Sequence, residues 1–426
     1  MKNLYLLLIT VFTLMSCNQT QKNSNALDLA PLYDLVTSLD YFQLKELYEQ
    51  QKEQITQLDQ WYFEAVLSSA FNQPIQSNQL ISKYVNSEDA KDSLSKNLLL
   101  LKLNNHIQLS QYANALEVNE TLQQKYSALL DSIEADDLKN THKIWQALKD
   151  TPAQEVVKNQ EVSLDVLKDR AGLPTVETTF ENQVEQFVFD TGANFSVIQR
   201  SVAQELGMEI IDANFDVEAA TGILVKSDIG IAKTMNLGAI ELSNVVFLVF
   251  DEQALSFPSI NYEIRGIVGF PVIRALEEIQ FVKDLRIVIP NKPSNIQLHN
   301  LALDQYMPIV KGVYDGDMIS LNLDTGAQQT SLYERFYLKY QADIDSNYAT
   351  TTLSTGGAGG MVELEGYLIN DFQLKIGEGV ATLDSVQLSK SKIGNLDRLD
   401  GNLGQDFIKS FNTMTMNFKY SSIQFN

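Results

Sequence analysis

Apolar positions in the first third of the chain recur at helical spacing: Leu32, Leu35, Val36 and Leu39; Leu58, Trp61, Tyr62 and Ala65; Leu94, Leu98 and Leu101; Leu122, Tyr126 and Leu129. Residues three and four apart share one face of a helix, so each set predicts an amphipathic helix with one buried stripe. Short polar breaks such as Asn72-Gln73-Pro74 separate the sets and predict helices paired as hairpins. From Gly172 onward the pattern changes to short β-branched and aromatic runs punctuated by Gly, Asn and Asp, which predicts a mostly β region. All 21 glycines lie at or after Gly172, so two architectures meet near residues 155–170.

The N-terminus follows a third pattern. Lys2 precedes a largely apolar run, Leu4 to Met15, and Ser16-Cys17 follows. That run is too short to span a bilayer comfortably, and the arrangement is that of a secretory targeting segment. The chain's one cysteine stands at its end, after a small residue. That placement resembles the lipobox of bacterial lipoproteins, with Met15 where a smaller residue is usual. The resemblance implies cleavage before Cys17, lipidation of its sulfur and amine, and a polar tether from Asn18 to Asn25; several acyl chains together hold a protein stably on a membrane. With the cysteine incidental, the same segment reads as a plain secretory signal. The helices that follow resemble α-hairpin repeats of the tetratricopeptide kind, and an irregular helical bundle fits their spacing equally.

Two stretches of the β region repeat one another. Pro174-Thr175-Val176 leads to Phe187-Val188-Phe189-Asp190-Thr191-Gly192-Ala193, and Pro308-Ile309-Val310 leads to Leu321-Asn322-Leu323-Asp324-Thr325-Gly326-Ala327. Proline and aspartate are equally far apart in the two copies, so one constant offset relates every position of the first stretch to the second. A hairpin-like turn falls between proline and aspartate each time, at Glu181-Asn182-Gln183 and at Tyr314-Asp315-Gly316-Asp317. Further on, Gly266-Ile267-Val268-Gly269 follows Asp190 and Gly401-Asn402-Leu403-Gly404 follows Asp324, at spacings that differ by a single position. One Asp-Thr-Gly-Ala arises by chance in roughly one chain in 150 of this length, so two at matched spacings indicate internal duplication.

Composition narrows the function classes. The chain has 426 residues, with 54 acidic against 32 basic side chains and a formal charge of −22, which excludes a basic footprint for nucleic acid. Cys17 alone makes neither an internal disulfide nor a Cys-based zinc site, and His106, His142 and His299 stand far apart. No GxSxG, HExxH or P-loop occurs, and no cofactor or metal is expected.

On these residues, 160–426 resemble a two-lobed, retropepsin-like aspartic peptidase with one Asp-Thr-Gly per lobe. The resemblance implies lobes at 160–295 and 296–426; ahead of them the patterns above predict a signal at 1–16, the lipidated cysteine and tether at 17–26, and an all-α domain at 27–155. It implies catalytic roles for Asp190 and Asp324, which would share a proton because two carboxyls about 3 Å apart cannot both ionise cheaply, the general behaviour of such dyads. A carboxylate and a carboxylic acid together supply an activated water and a proton for the leaving nitrogen. Thr191 and Thr325 are expected to cross-bond the two loops, Gly192 and Gly326 to admit close approach of backbone, and Gly269 and Gly404 to pack behind the aspartates. Ala193 and Ala327, where pepsins carry a hydroxyl, remove a donor to the dyad and so imply a weakly acidic optimum. Asn402 departs from the apolar residue usual before the second loop's Leu-Gly. Flap candidates are Thr221, Gly222 and Ile223 in the first lobe and Gly356, Gly357, Gly359 and Gly360 in the second.

The function expected is a membrane-anchored aspartic endopeptidase acting on peptides or proteins, located in the cell envelope on the outer membrane and facing the periplasm. A degenerate peptidase that only binds peptides is the alternative, and a structural lipoprotein docking partners through its helices is a third reading. The lobes are expected to hold the whole active site, so that a chain beginning near Val162 still cleaves a short peptide.

Overall fold

The computed structural model describes residues 27–181, 183–218, 224–257, 261–283, 285–357, 360–392 and 398–426. The signal and tether with Cys17, the first-lobe flap residues Thr221, Gly222 and Ile223, and Gly359 lie outside them.

Seven α-helices precede the first strand: α1 (Ala30–Thr37), α2 (Tyr41–Gln51), α3 (Gln57–Ala70), α4 (Pro74–Val85), α5 (Asp92–Gln108), α6 (Tyr112–Lys125) and α7 (Ser132–Leu148). The Thr56 side chain caps α3 by accepting from Asp59 N, and Asp131 with Glu134 forms a reciprocal capping box on α7; such caps stabilise a helix by about 1 kcal/mol each. The α1–α2, α3–α4 and α5–α6 pairs turn over in one way. In each, a residue in the left-handed region follows the first helix: Leu39 (φ 57°), Asn72 (φ 57°) and Ser110 (φ 53°). Asp40 N, Gln73 N and Gln111 N then donate back into the helix, to Leu35 O, Ser68 O and His106 O. This is the Schellman stop, made without the glycine that normally favours it. The three turns recur at similar intervals along the chain, so the helices form successive hairpins. One predicted stripe runs past its helix: α6 ends at Lys125, and Leu129 falls in a separate 3₁₀ turn and is exposed.

The remainder is mostly strand, in a 13-stranded, an eight-stranded and a small two-stranded sheet among the described residues. Each half repeats one plan. Strand Pro174–Phe180 pairs antiparallel with Gln183–Phe189, and Met307–Tyr314 with Asp317–Leu323. The second hairpin turns through Asp315 (φ 47°) and Gly316 (φ 84°), both left-handed, as a two-residue turn matched to strand twist requires. Strand Gly266–Val268 then lies parallel beside the first aspartate strand, and Gly401–Leu403 beside the second.

The halves meet in a shared sheet. Glu278–Val282 pairs antiparallel with Thr413–Asn417, and the central pair is Gln280 with Thr415. These two positions are separated by the same offset as Gly269 and Gly404, so a local two-fold axis passes between them. The C-terminal hairpin Thr413–Asn417 and Ser422–Phe425 therefore belongs to the first half's sheet, not to a self-contained unit at 296–426. The β region also begins before residue 160, because Glu155–Val157 pairs with Ile240–Phe250.

The helices are built into this body. Side chains of α5, α6 and α7, including Leu103, Leu122 and Trp145, belong to the same buried cluster as the first-half core. Those of α1 to α5, including Leu44, Phe63 and Tyr84, form another with Ala302, Ile309, Tyr333 and Leu399 of the second half. All three hairpin turns reach the β region. Asp40 accepts from Ser320 Oγ (3.1 Å) and pairs with Arg335, whose Nε lies 3.5 Å from the buried Asp400 carboxylate. Asn72 donates to Phe418 O (2.8 Å) and accepts from Arg274, and Gln108 donates to Gln305 O (2.7 Å). The helices thus share buried clusters and the Asp40–Arg335 pair with both halves, so lobes starting near Val162 would lose packing that the sequence reading did not include.

Candidate active site

Each aspartate ends a strand whose last residues are fixed by burial. Phe187 and Phe189 before Asp190, and Leu321 and Leu323 before Asp324, are fully buried. Removing each such side chain from water contributes about 1.5–3 kcal/mol, which pins the strand end and the loop after it. Asp190 N donates to Val268 O and Asp324 N to Leu403 O, both at 3.1 Å, so each aspartate is also tied to the glycine loop of its half.

The two loops interlock through their threonines. Thr191 N donates to Thr325 Oγ1 and Thr325 N to Thr191 Oγ1, each at 3.0 Å. The hydroxyls donate onward across the axis, Thr191 Oγ1 to Leu323 O (2.9 Å) and Thr325 Oγ1 to Phe189 O (3.0 Å). Both side chains are buried, so four hydrogen bonds fix one loop relative to the other.

Glycine is required where the loops touch. A Cβ on Gly192 would lie 2.6 Å from Asp324 Cγ, and one on Gly326 2.5 Å from Asp190 Oδ2. Each glycine thus sits against the opposite half's carboxyl, and any side chain there would force the pair apart. Gly269 and Gly404 meet backbone in the same way: a Cβ would stand 2.3 Å from Phe195 O in one half and 2.5 Å from Gln329 C in the other. Their amides donate to Ser196 Oγ and Thr330 Oγ1, both at 3.1 Å. Ala193 O and Ala327 O accept from Phe270 N (2.8 Å) and Gln405 N (2.9 Å), closing each loop onto the helix that follows its glycine.

Asp190 and Asp324 lie within hydrogen-bonding reach of each other. Each residue keeps part of its surface open, yet the carboxyls are densely surrounded by protein. Burial, and then the neighbouring Asp324 charge, push Asp190 well above the usual carboxylate range, against the pull of the Gly192 amide. Burial also raises Asp324, opposed by hydrogen bonds from Asp190, Gly326 N, Ala327 N and Asn402. The pair therefore holds a proton to higher pH than free carboxyls do, and it titrates as a unit. Among the described residues, no third His, Cys, Asp or Glu joins it to form a metal-binding group.

Asn402 is the site residue that the sequence did not reveal as such. It is buried, accepts from Asn322 Nδ2 (2.8 Å) and donates to Asp324 Oδ2 (3.4 Å). The available signal was paired: Asn322 and Asn402 replace Val188 and Ile267 at the corresponding places of the repeat, and both couples face each other across parallel strands. The flap candidates Gly356, Gly357 and Gly360 lie at the end of the hairpin Thr351–Gly357 and Gly360–Ile376, where Gly357 pairs with Gly360. In the first half, Glu209–Glu218 and Leu224–Leu237 form the corresponding hairpin.

An open cavity of ≈ 670 Å³ lies elsewhere, lined by Asn72, Pro74, Ile75, Lys83 and Arg274 among others, and contains neither aspartate. Its lining comes from α4 together with Asn72, Leu109 and Arg274 and includes no carboxyl group.

Residues 176–272 match the family model described as aspartyl protease. The matched span carries Asp190, Thr191, Gly192 and Gly269 and ends before Asp324, whose half is related to it by the internal repeat. No curated protein matches the chain.

Proposed function

We propose that the protein is an aspartic endopeptidase that hydrolyses peptide bonds with a water held between Asp190 and Asp324. The observation that carries this reading is the reciprocal threonine lock, which holds two carboxyls face to face across a local two-fold axis. One carboxyl as carboxylate removes a proton from the water, and the other as carboxylic acid supplies one to the substrate. Gly192 and Gly326 leave room beside the carboxyls that a Cβ would take. The hairpins Glu209–Glu218 with Leu224–Leu237 and Thr351–Gly357 with Gly360–Ile376 are assigned to substrate binding, and Thr221, Gly222, Ile223, Gly356, Gly357, Gly359 and Gly360 are the candidate substrate-contacting residues.

The location proposed is the cell envelope, on the outer membrane facing the periplasm, with a lipid on Cys17 as the anchor. Among the described residues no helix is long and apolar enough to cross a membrane. The helical hairpins, fixed to both halves, are assigned to presenting the site and to meeting a protein partner or substrate.

The test is a mixed-peptide digest with membranes carrying the full chain, read by mass spectrometry. Internal cleavage products are expected in the membrane fraction, and Cys17→Ser should move the same activity to the soluble fraction. Tight peptide retention with no new termini would instead support the binding-module alternative, and salt-resistant membrane association of Cys17→Ser would refute the anchor.

A further inference from the structure

The two halves of the site are not equivalent, and the difference lies at one register position. In the first half, parallel strands place Val188 beside Ile267; in the second, the same register places Asn322 beside Asn402. The apolar pair shows that the fold itself is satisfied by hydrocarbon there. Both asparagines are buried, and Asn322 Oδ1 has no hydrogen-bond partner. Burying two amides and leaving one acceptor unsatisfied is unfavourable compared with an apolar pair, so the substitution calls for a cause outside packing.

The two amides form a chain that ends on Asp324. Asn322 Nδ2 donates to Asn402 Oδ1 at 2.8 Å, which occupies the Asn402 oxygen and turns its amide nitrogen toward Asp324 Oδ2 at 3.4 Å. With the amides so placed the donors run from Asn322 through Asn402 to Asp324; the opposite direction requires both amides turned over together and a proton on Asp324 Oδ2, so the direction of the chain and the protonation of Asp324 are one question. Asp324 also accepts from Gly326 N (2.8 Å) and Ala327 N (3.0 Å) through Oδ1. Asp190 accepts from Gly192 N (2.8 Å), with the Gly326 amide shared between the two carboxyls. The titratable groups that interact with Asp324 are Asp190 across the dyad and the buried phenol of Tyr333. The phenol, raised by burial and by the Asp324 charge, stays neutral.

We propose that Asn402, oriented by Asn322, is a positioning residue that makes Asp324 the carboxylate of the dyad and Asp190 its carboxylic acid. This rests on the dyad reading above and assigns its two roles. As the water oxygen bonds to the carbonyl carbon, Asp324 takes a proton from it and Asp190 gives its own to the carbonyl oxygen. When the C–N bond of the resulting gem-diol breaks, Asp324 passes its proton to the leaving nitrogen. Asp190 recovers one from a diol hydroxyl, and both carboxyls return to their starting states.

The test is a carboxyl ¹³C NMR titration of the full chain labelled at aspartate, with the two resonances assigned through Asp190→Asn and Asp324→Asn. Asp324 should ionise first in the wild type, with Asp190 protonated to higher pH. In the double variant Asn322→Val with Asn402→Leu, which copies the apolar pair of the first half, the first ionisation should move up by about half to one pH unit, a three- to tenfold change in proton affinity. Asp190 ionising first, or a first step unmoved in the double variant, would overturn the assignment while leaving a coupled dyad in place. Should the double variant not fold, the order of ionisation in the wild type still decides. Two carboxyls titrating independently in the ordinary range would instead refute the dyad.

Discussion

Asp190→Asn and Asp324→Asn should each lower kcat/KM for peptide hydrolysis by about 10⁴-fold or more, with both variants folded. Each removes one half of a shared-proton pair, so the double variant should lose little beyond either single one. An amide also keeps the oxygen that Gly192 N or Gly326 N donates to, and the loops should stay closed. Stability should change in the opposite sense to activity. A carboxyl whose folded pKa is raised above its unfolded value contributes stability fully at low pH and loses it as pH rises through the folded pKa. Burial and Asp324 raise Asp190 in this way, so the wild type bears the cost of forcing a second charge into the pair as pH increases. Asp190→Asn should therefore gain stability relative to wild type from weakly acidic pH upward and show no gain at strongly acidic pH. Thermal melts beside initial rates would check both, and a single variant keeping near-wild-type rates would refute the catalytic assignment.

A chain beginning at Val162 should fail to fold and should cleave nothing. The cut removes α1 to α7 together with the strand Glu155–Val157, which pairs with Ile240–Phe250. It uncovers Ile309, Tyr333 and Leu399, which are buried in one cluster with Leu44, Phe63 and Tyr84 of the helices. At about 1.5–3 kcal/mol for each large side chain, these three alone match the lower range of a domain's net stability, about 5–15 kcal/mol. The cut also strips Asp40 from Arg335. Tyr333 links this loss to the site, because its phenol feels the charge of Asp324. Circular dichroism in the near ultraviolet and a peptide assay would check the expectation; a soluble, native-like and active short chain would show the helices to be dispensable.

What was legible in the sequence is what repeats at short range. Asp-Thr-Gly-Ala and the later glycine recur at matched spacing, and the close approaches at Gly192, Gly326, Gly269 and Gly404 explain why those positions tolerate no side chain. The helical stripes were legible for the same reason. Of their hairpin turns, the one at Asn72-Gln73-Pro74 was marked by its polar break, whereas Leu39 and Ser110 hold left-handed conformations that glycine normally announces. The exchange of the C-terminal strands was also hidden, because Thr413–Asn417 finds its partner at Glu278–Val282, far earlier in the chain, and edge alternation does not name a partner. Asn402 reads as a packing departure when taken alone. Its meaning depends on Asn322, distant in sequence and opposite it in the sheet.

One singly protonated pair of carboxyls does the chemistry in the proposed mechanism, and the pH profile of kcat/KM for peptide hydrolysis by the full chain tests this most directly. Neither Ala193 nor Ala327 carries a hydroxyl to favour the ionised pair, and burial raises both carboxyls. The predicted profile is a bell with its maximum at weakly acidic pH, falling on the acid side as the pair takes up a second proton and on the alkaline side as it loses its last one. A rate that rises steadily with pH through neutrality, or a bell that persists unchanged in Asp324→Asn, would contradict it.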